Sequence, residues 1–292
     1  MHKVDKAAQR KKAERLRELH QGPRILVVGS VWDAASARIF ELEGFAALAT
    51  SSAGVAYSLG YPDGERLPPA EMIAAVGRIA AAVDVPVSAD MEAGYGRSPE
   101  EAAASCRAVL DAGAVGVNLE DAASDAPGAL VPAAAHAAKI AAVRATADAY
   151  GVPLVVNART DVFLLKVGEE RGRLAEATAR LRAYRDAGAD CLFAPGVVDA
   201  ATIRALVTGV GAPLNILATP GCPSVAELEA LGVRRLSQGS GPARAALALT
   251  QRIARELARS GVYASFQRDA IPYPDANRLF ERSPSRGAPG RS

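Results

Sequence analysis

The chain has 292 residues, half of them hydrophobic, and carries a formal net charge of +2. This length is enough for two average domains or for one large barrel. The near-neutral charge argues against nucleic acids and membrane surfaces as partners, because both are recognised through bulk positive charge. Cys106, Cys191 and Cys222 are widely spaced and form no C-x-x-C pair, so neither a disulfide framework nor a zinc site is expected.

The first residues are charged rather than apolar, and no run of about 18 uncharged apolar residues follows them. We therefore expect neither a signal peptide nor a membrane span. Together with the unpaired cysteines, this composition favours a reducing cytoplasm as the location.

Residues 2–20 hold seven lysines and arginines among alanines and leucines. This pattern predicts a helix, solvated or at an interface, that precedes the main fold as residues 1–21. Because no aromatic residues are interleaved with the basic ones, we do not assign the helix to nucleic-acid binding.

Short apolar runs then alternate with longer, alanine-rich segments of helical spacing. Parallel neighbouring strands need such crossover helices, and eight repeats predict a (β/α)8 TIM barrel. An open doubly wound sheet is the competing fold, but no G-x-G-x-x-G sequence follows any run. The eight predicted strands are Ile25–Val28, Ala46–Ala49, Val85–Val87, Val115–Leu119, Leu154–Val156, Cys191–Phe193, Leu214–Leu217 and Arg235–Ser237.

Residues 241–262 have the pattern of one more strong helix, which completes a barrel domain over residues 22–262. The following residues, 263–292, form an extension without regular pattern. Their last ten, 283–292, have the composition of a disordered tail.

Acidic and amide side chains follow the predicted strands, and a barrel brings these strand ends to one rim. Asp90 and Glu92 follow the third strand, Glu120 the fourth, and Arg159 the fifth. Crowded carboxylates need a counter-charge, because neighbouring like charges oppose joint ionisation. Arg159 can neutralise one of them, and an oxygen-only ligand set suits Mg²⁺ or Mn²⁺ better than zinc.

Other candidate residues surround these acids on the predicted rim. Small residues with exposed N–H groups and hydroxyls can cradle a carboxylate or a phosphate, and such residues follow the second strand. Asp63 stands in a turn that favours aspartate for turn geometry alone. The remaining candidates are Ser51, Ser52 and Ala53 for the cradle, Trp32 and Asn215 for the pocket, and Tyr57 as a proton donor.

Five motifs in this order resemble those of the isocitrate lyase and phosphoenolpyruvate mutase superfamily. The resemblance covers about residues 22–260 and implies a (β/α)8 barrel whose last helix is swapped between the subunits of a homo-dimer or tetramer. It also implies a Mg²⁺ that binds a small 2-oxo or 2-hydroxy acid. The motifs are Thr50-Ser51-Ser52-Ala53-Gly54-Val55-Ala56, Gly60-Tyr61-Pro62-Asp63, Asp90-Met91-Glu92-Ala93-Gly94-Tyr95-Gly96, Asn118-Leu119-Glu120-Asp121 and Asn157-Ala158-Arg159-Thr160-Asp161.

The same resemblance implies roles for single residues. Asp90 would ligate the metal, and Glu92 and Glu120 would act directly or through water. The 51–53 segment would hold the substrate carboxylate with help from Arg159. Asp63 would lie near the reacting centre.

The chain departs from the superfamily in the segment 121–132, which contains neither cysteine nor histidine. Lyases of the superfamily carry a Lys-Arg-Cys-Gly-His or Lys-Lys-Cys-Gly-His motif there, so cleavage of isocitrate by their mechanism is not expected. Phosphonomutases carry a longer polar loop, which argues against P–C chemistry as well. The usual D-x-D has also become Asp90-x-Glu92.

These observations predict a Mg²⁺-dependent lyase or decarboxylase that acts on a small 2-oxo or 2-hydroxy dicarboxylic acid through an enolate. One alternative is a phosphonopyruvate hydrolase or phosphoenolpyruvate phosphonomutase. The other is a barrel that binds 2-oxoacids with little catalysis.

Overall fold

The computed structural model describes residues 5–126 and 128–281. The chain divides into two compact units after Ala243. The first unit contains one sheet of nine parallel strands, which are β1 (Leu26–Val27), β2 (Gly29–Val31), β3 (Leu48–Thr50), β4 (Val87–Asp90), β5 (Gly116–Glu120), β6 (Val155–Arg159), β7 (Cys191–Phe193), β8 (Leu214–Leu217) and β9 (Arg235–Ser237).

The two short strands β1 and β2 together occupy one position in the sheet. They flank Val28, whose N–H donates to the Leu236 carbonyl at 3.0 Å, and the next N–H, of Gly29, donates to the Ala47 carbonyl at 3.2 Å. β1 therefore pairs with β9 while β2 pairs with β3, which joins the two ends of the sheet. Nine strands thus fill eight positions, and the predicted (β/α)8 barrel is confirmed.

Helices alternate with the strands in the order that the sequence predicts. The helices are α1 (Lys6–Gln21), α2 (Ala34–Leu42), α3 (Ser52–Ser58), α4 (Pro69–Ala82), α5 (Pro99–Asp111), α6 (Ala133–Tyr150), α7 (Glu170–Asp186), α8 (Ala200–Val210), α9 (Val225–Leu231), α10 (Gly241–Ser260), α11 (Ala264–Asp269) and α12 (Tyr273–Arg278).

Local side-chain chemistry sets several of these helix ends. Asp33 and Ser36 form a capping box at the start of α2, and Ser98 and Glu101 form another at the start of α5. Gly151 ends α6 with a φ of 83°, a backbone conformation that glycine adopts without steric cost. These turns bring the chain back to the start of the next strand.

Helix α1 packs across the N-terminal ends of the barrel strands. The Gln9 amide donates to the carbonyls of Leu110 and Ala114 at 2.7 and 3.1 Å, just before β5 begins. Leu16 is fully buried, and a Cβ placed on Gly116 would lie 3.0 Å from its Cδ2. The basic face of α1 is thus exposed while its other face closes the floor of the barrel.

The second unit contains α11 and α12 within the segment 263–292, where the sequence pattern indicated no regular structure. Each helix has six residues, which is too short for a periodic apolar pattern to be visible. The tail predicted at 283–292 lies outside the described residues. No helix among the described residues is long and apolar enough to cross a membrane.

Candidate active site

The carboxylate of Asp90, at the end of β4, is held by hydrogen-bond donors from two neighbouring strands. Its Oδ1 accepts from the Asn118 amide at 2.8 Å, and its Oδ2 accepts from the Ser52 N–H and Oγ at 3.0 and 2.8 Å. The Asp90 N–H in turn donates to Thr50 Oγ1 at 2.8 Å. Both carboxylate oxygens therefore have a fixed direction.

A chain of amides extends this support to the next strand. Asn157 Nδ2 donates to Asn118 Oδ1 at 2.9 Å, and Asn118 then donates to Asp90. The three residues are register partners on β4, β5 and β6, which places their side chains in one layer inside the barrel. Only the register of three parallel strands produces this arrangement, since the residues are about 30 to 40 positions apart in sequence.

Glu92 joins two loops at the rim. Its carboxylate accepts from the Glu65 N–H at 2.6 Å and from the Tyr95 hydroxyl at 3.2 Å, while Glu65 Oε1 accepts from the Tyr95 N–H at 2.7 Å. All three residues have a positive φ, between 49° and 55°. Burial, followed by the charges of Asp90 and Asp63, raises the pKa of Glu92 to about 8.

Arg159, at the end of β6, contacts two carboxylates. Its Nη1 lies 2.7 Å from Glu120 Oε2, and its Nε and Nη2 donate to the two oxygens of Asp161 at 2.6 and 2.9 Å. Burial opposes its charge, but Glu120 and Asp161 outweigh burial and raise its pKa. Burial raises the pKa of Glu120 well above its ordinary value despite the opposing charge of Arg159. A guanidinium has five N–H groups, so two of them stay available for a ligand.

Asp121, which is fully buried, fixes the loop that follows Arg159. One of its oxygens accepts from the Asp161 N–H at 2.9 Å, and the other accepts from Thr160 Oγ1, Tyr184 OH and Arg180 Nη1 at 2.7, 2.6 and 3.2 Å. Four donors compensate the burial of this charge. The position of Arg159 thus depends on a network that lies outside the cavity.

These strand ends surround a cavity of about 190 Å³. Seven of the residues singled out from the sequence line it, and four others do not. The lining residues are Ser51, Ser52, Ala53, Asp63, Asp90, Arg159 and Asn215, and the four outside the lining are Trp32, Tyr57, Glu92 and Glu120.

The structure gives Ser52 and Glu120 specific neighbours. Ser52 was expected at the substrate carboxylate, and its N–H and hydroxyl both donate to Asp90 instead of being free for a ligand. Glu120 lies behind the lining residues, paired with Arg159. Both residues therefore act on the groups that face the cavity.

Sequence reasoning did not single out one wall of the cavity or its inner end. Leu164, Phe193 and Leu217 form an apolar wall, with the Arg159 guanidinium 5.7 Å from the centre of the Phe193 ring. In the strand order, β8 with Leu217 stands four positions from β4, across the barrel from Asp90. Arg235 lines the inner end of the cavity. Its sequence signal was the presence of a charged residue next to Leu236 within a predicted strand.

The ionisable groups of this cavity are acids and arginines. Within the described chain, no thiol, imidazole, amine or phenol lines it. Asp63 faces the cavity, and burial, then the charge of Asp90, raises its pKa. In the segment that carries cysteine and histidine in superfamily lyases, Ala122 forms an antiparallel bridge with Leu130, and Asp125 forms an ion pair with Arg97 at 3.2 Å.

The acids fit a hard divalent cation of the kind that keeps most of its waters. Among the described residues, no three aspartate, glutamate, histidine or cysteine side chains form a ready-made metal cage. Mg²⁺ needs no such cage, because one or two carboxylates commonly hold it with waters and substrate oxygens. Asp90 faces the cavity with both oxygens oriented by neutral donors, which suits direct ligation. Glu120, already paired with Arg159, suits contact through water.

A parallel barrel with carboxylates and one arginine at the strand ends defines a class of enzyme sites that bind small anionic ligands. The sequence matches the phosphoenolpyruvate phosphomutase family over residues 16–258. The chain therefore belongs to this family, within the superfamily of phosphoenolpyruvate mutase and isocitrate lyase, whose members are lyases or mutases.

Similar proteins span several reactions. An uncharacterised protein of Mycobacterium tuberculosis is 33% identical over 88% of this chain and 96% of its own length. An oxaloacetate decarboxylase of Bradyrhizobium is 32% identical over 81% of this chain and 82% of its own. A crystal structure of a Burkholderia cenocepacia protein, provisionally assigned as a lyase or mutase, is 40% identical, with a TM-score of 0.88 over 94% of this chain and 98% of that one.

The hydroxyls of Ser51 and Ser52 provide a matched pair of variants. We expect Ser52→Ala to weaken Mg²⁺ binding about tenfold, because it removes an outer hydrogen bond to Asp90. Ser51→Ala should cost about 1 kcal/mol of stability with little change in Mg²⁺ affinity, because its Oγ caps α3 at the Gly54 N–H. Calorimetric titration and denaturant unfolding measure the two effects. Equal Mg²⁺ affinities in the two variants would contradict this assignment.

Proposed function

We propose that the chain is a Mg²⁺-dependent decarboxylase of a small 2-oxo dicarboxylate, with oxaloacetate as the first substrate to test. The observation that carries the proposal is the composition of the cavity, where acids and Arg159 face an apolar wall. Cleavage of a 2-hydroxy acid needs a base to remove the hydroxyl proton, whereas a 2-oxo acid that loses CO₂ has no such proton. The oxaloacetate decarboxylase of Bradyrhizobium supports this choice.

Arg159 lines the cavity from β6, and Ser51 and Ala53 line it from the end of β3. We place the C1 carboxylate between Arg159 and these two residues, because Ser52 already donates to Asp90. The remaining N–H groups of the Arg159 guanidinium suit two carboxylate oxygens. Its pairs with Asp161 and Glu120 fix the plane of the guanidinium before a substrate arrives. Mg²⁺, when bound, supplies Lewis-acid stabilisation of the negative charge that develops on the 2-oxo oxygen.

The apolar wall of Leu164, Phe193 and Leu217 suits the leaving carboxylate. As the bond between C3 and C4 breaks, its electron pair moves into the enolate and the charged carboxylate becomes neutral CO₂. An apolar surface destabilises the carboxylate more than CO₂, so it favours bond cleavage. The apolar wall thus lowers the activation barrier of decarboxylation by destabilising the carboxylate that leaves.

Asp63 is our candidate for the acid that protonates C3 of the enolate to give pyruvate. It is a cavity-lining group whose pKa is raised, by burial and by the Asp90 charge, so it keeps its proton to a higher pH than an exposed aspartate. Overall, oxaloacetate takes up one proton and yields pyruvate and CO₂. The absence of a thiol or imidazole in the segment 121–132 is compatible with this reaction.

The proposal is tested by pyruvate release from oxaloacetate in the presence of Mg²⁺. Asp90→Ala should lower kcat/KM at least about a hundredfold, the scale expected when one preorganised electrostatic group is lost. Asp33→Ala is the matched control, because this acid also follows a barrel strand but caps α2 and does not line the cavity. Asp33→Ala should change kcat/KM by less than about twofold, which corresponds to about 0.4 kcal/mol of activation free energy.

Other outcomes of the same panel identify the alternatives. Phosphate release from phosphonopyruvate, without pyruvate release from oxaloacetate, would replace decarboxylation by P–C chemistry. Oxalate binding without turnover of either substrate would show a binding protein. Equal rates for Asp90→Ala and the unmodified chain would contradict the proposed site.

A cation introduced into the apolar wall tests its role separately. Leu217→Lys should stabilise the bound carboxylate, so that KM falls and kcat falls about tenfold, the pattern of a substrate held too tightly. Leu217→Met keeps the apolar surface and should change kcat less than about threefold. Steady-state kinetics with oxaloacetate distinguish these results. An unchanged kcat in Leu217→Lys would show that the leaving group does not face β8.

We also propose that α10 mediates a homo-dimer or tetramer, as helix swapping would require. Among the described residues, only Ala243 of this 20-residue helix is buried, while Leu247 and Leu257 are 50% and 45% exposed. Light scattering after size exclusion should show an oligomer that Leu247→Glu with Leu257→Glu converts to monomer. Leu42→Glu, at an equally exposed leucine of α2, is the control. A monomeric unmodified chain would contradict the proposal.

A further inference from the structure

The barrel interior contains an arginine that has no carboxylate partner. Arg235, on β9, is 2% exposed and forms no ion pair with a carboxylate of the described residues. Its Nη1 lies 3.3 Å from His20 Nε2, and its Nε has no hydrogen-bond partner in the described chain. Buried charges are usually paired, because taking an ion from water is costly. An unpaired one therefore needs a physical explanation.

The partner of Arg235 on α1 is neutral. His20 Nδ1 lies 2.7 Å from the Leu16 carbonyl, so Nδ1 carries the proton and Nε2 accepts from Arg235. Burial, followed by the Arg235 charge, lowers the pKa of His20 to about 3. Burial also lowers the pKa of Arg235, but a guanidinium keeps its charge in proteins. The positive charge of Arg235 thus interacts with the Asp90 carboxylate from a distance and not through an ion pair.

The other cation of the cavity is compensated. Arg159 pairs with both Glu120 and Asp161, so its net contribution to the field is small. The acid cluster, defined as the cavity-lining acids Asp63 and Asp90, therefore gives the cavity its negative charge. A dianion such as oxaloacetate would be repelled by this field unless cations offset it.

We propose that Arg235 is the counter-charge that lets the cavity accept a dianionic ligand beside the acid cluster. It lines the inner end of the cavity, two residues before Ser237 on β9, and is the register partner of Asn215 on β8. Its charge acts through the low-dielectric interior of the barrel rather than through contact. Arg235 is therefore a positioning residue, which acts on the ligand through its electric field. The proposal rests on the Mg²⁺ and 2-oxoacid binding proposed above.

The proposal predicts opposite changes in two affinities when the charge is removed. Arg235→Met should bind Mg²⁺ more tightly, because a repelling cation is gone, and should bind oxalate more weakly in saturating Mg²⁺. For the single charge of Arg235 about 10 Å from a divalent ion, and an effective dielectric constant of about 20 to 40, each change is about fifteenfold to about 250-fold. A purely structural loss would weaken both. Calorimetric titration with Mg²⁺ alone, and then with oxalate, measures the two constants.

Three further variants separate charge from packing. Arg235→Lys keeps the charge and should stay within about twofold of the unmodified chain in both affinities. Cys191→Asp places a carboxylate near Arg235, because the charge of Arg235 acts on the Cys191 thiol. This variant should reproduce both affinity changes of Arg235→Met. It therefore tests the proposal even if Arg235→Met does not fold. Arg144→Met removes a cation that pairs with Asp190 outside the cavity, and should lower stability alone.

Each result decides the inference. Opposite shifts in Arg235→Met or Cys191→Asp, with Arg235→Lys unchanged, would support it. Unchanged affinities, or affinities that fall together, would overturn it. If the unmodified chain binds neither Mg²⁺ nor oxalate, the proposed function fails and this inference with it. If the unmodified chain binds both and the variants show no opposite shifts, the inference alone fails.

Discussion

Mutual repulsion among buried carboxylates is the constraint on which the rest of this site depends. Asp90, Glu92, Glu120 and Asp161 lie at one end of the barrel, where burial, with the added charge of Asp90, raises the pKa of the other three. Each carboxylate consequently has its own set of donors, such as Ser52 and Asn118 for Asp90. The amides, hydroxyls and backbone N–H groups that donate to these carboxylates are therefore part of the site.

The opposite half of the cavity has a different composition, and the contrast gives the site its direction. Acids and Arg159 stand on β4 to β6, whereas Phe193 and Leu217 end β7 and β8 without a charge. A ligand with one carboxylate at each end thus meets two different environments. The proposed decarboxylation uses this difference, since only one of the two carboxylates is lost.

Much of the barrel could be predicted from sequence because its strands are continuous apolar runs separated by turn signals. All eight predicted runs form strands, and alanine-rich segments between them, such as α4, form helices. Helix α3 was not predicted, because its small residues were interpreted as a loop that cradles a carboxylate or a phosphate. The docking of α1 was also not predicted, because contacts such as that of Gln9 with Leu110 span 101 residues.

The candidate site shows the same limit. Asp90 and Arg159 could be selected because strand ends meet at one rim, and the resemblance to the superfamily supplied their expected roles. The hydrogen bond from Ser52 to Asp90 and the unpaired Nε of Arg235 could not be predicted. Both depend on side-chain directions that sequence spacing does not determine. Long-range register and burial decide such details.

A crystal structure of the chain with Mg²⁺ and oxalate tests the central claim most directly. The account predicts the ion on Asp90, with oxalate against Arg159 and its outer edge towards Phe193 and Leu217. Density for the ion away from Asp90, or oxalate bound outside this cavity, would contradict the account.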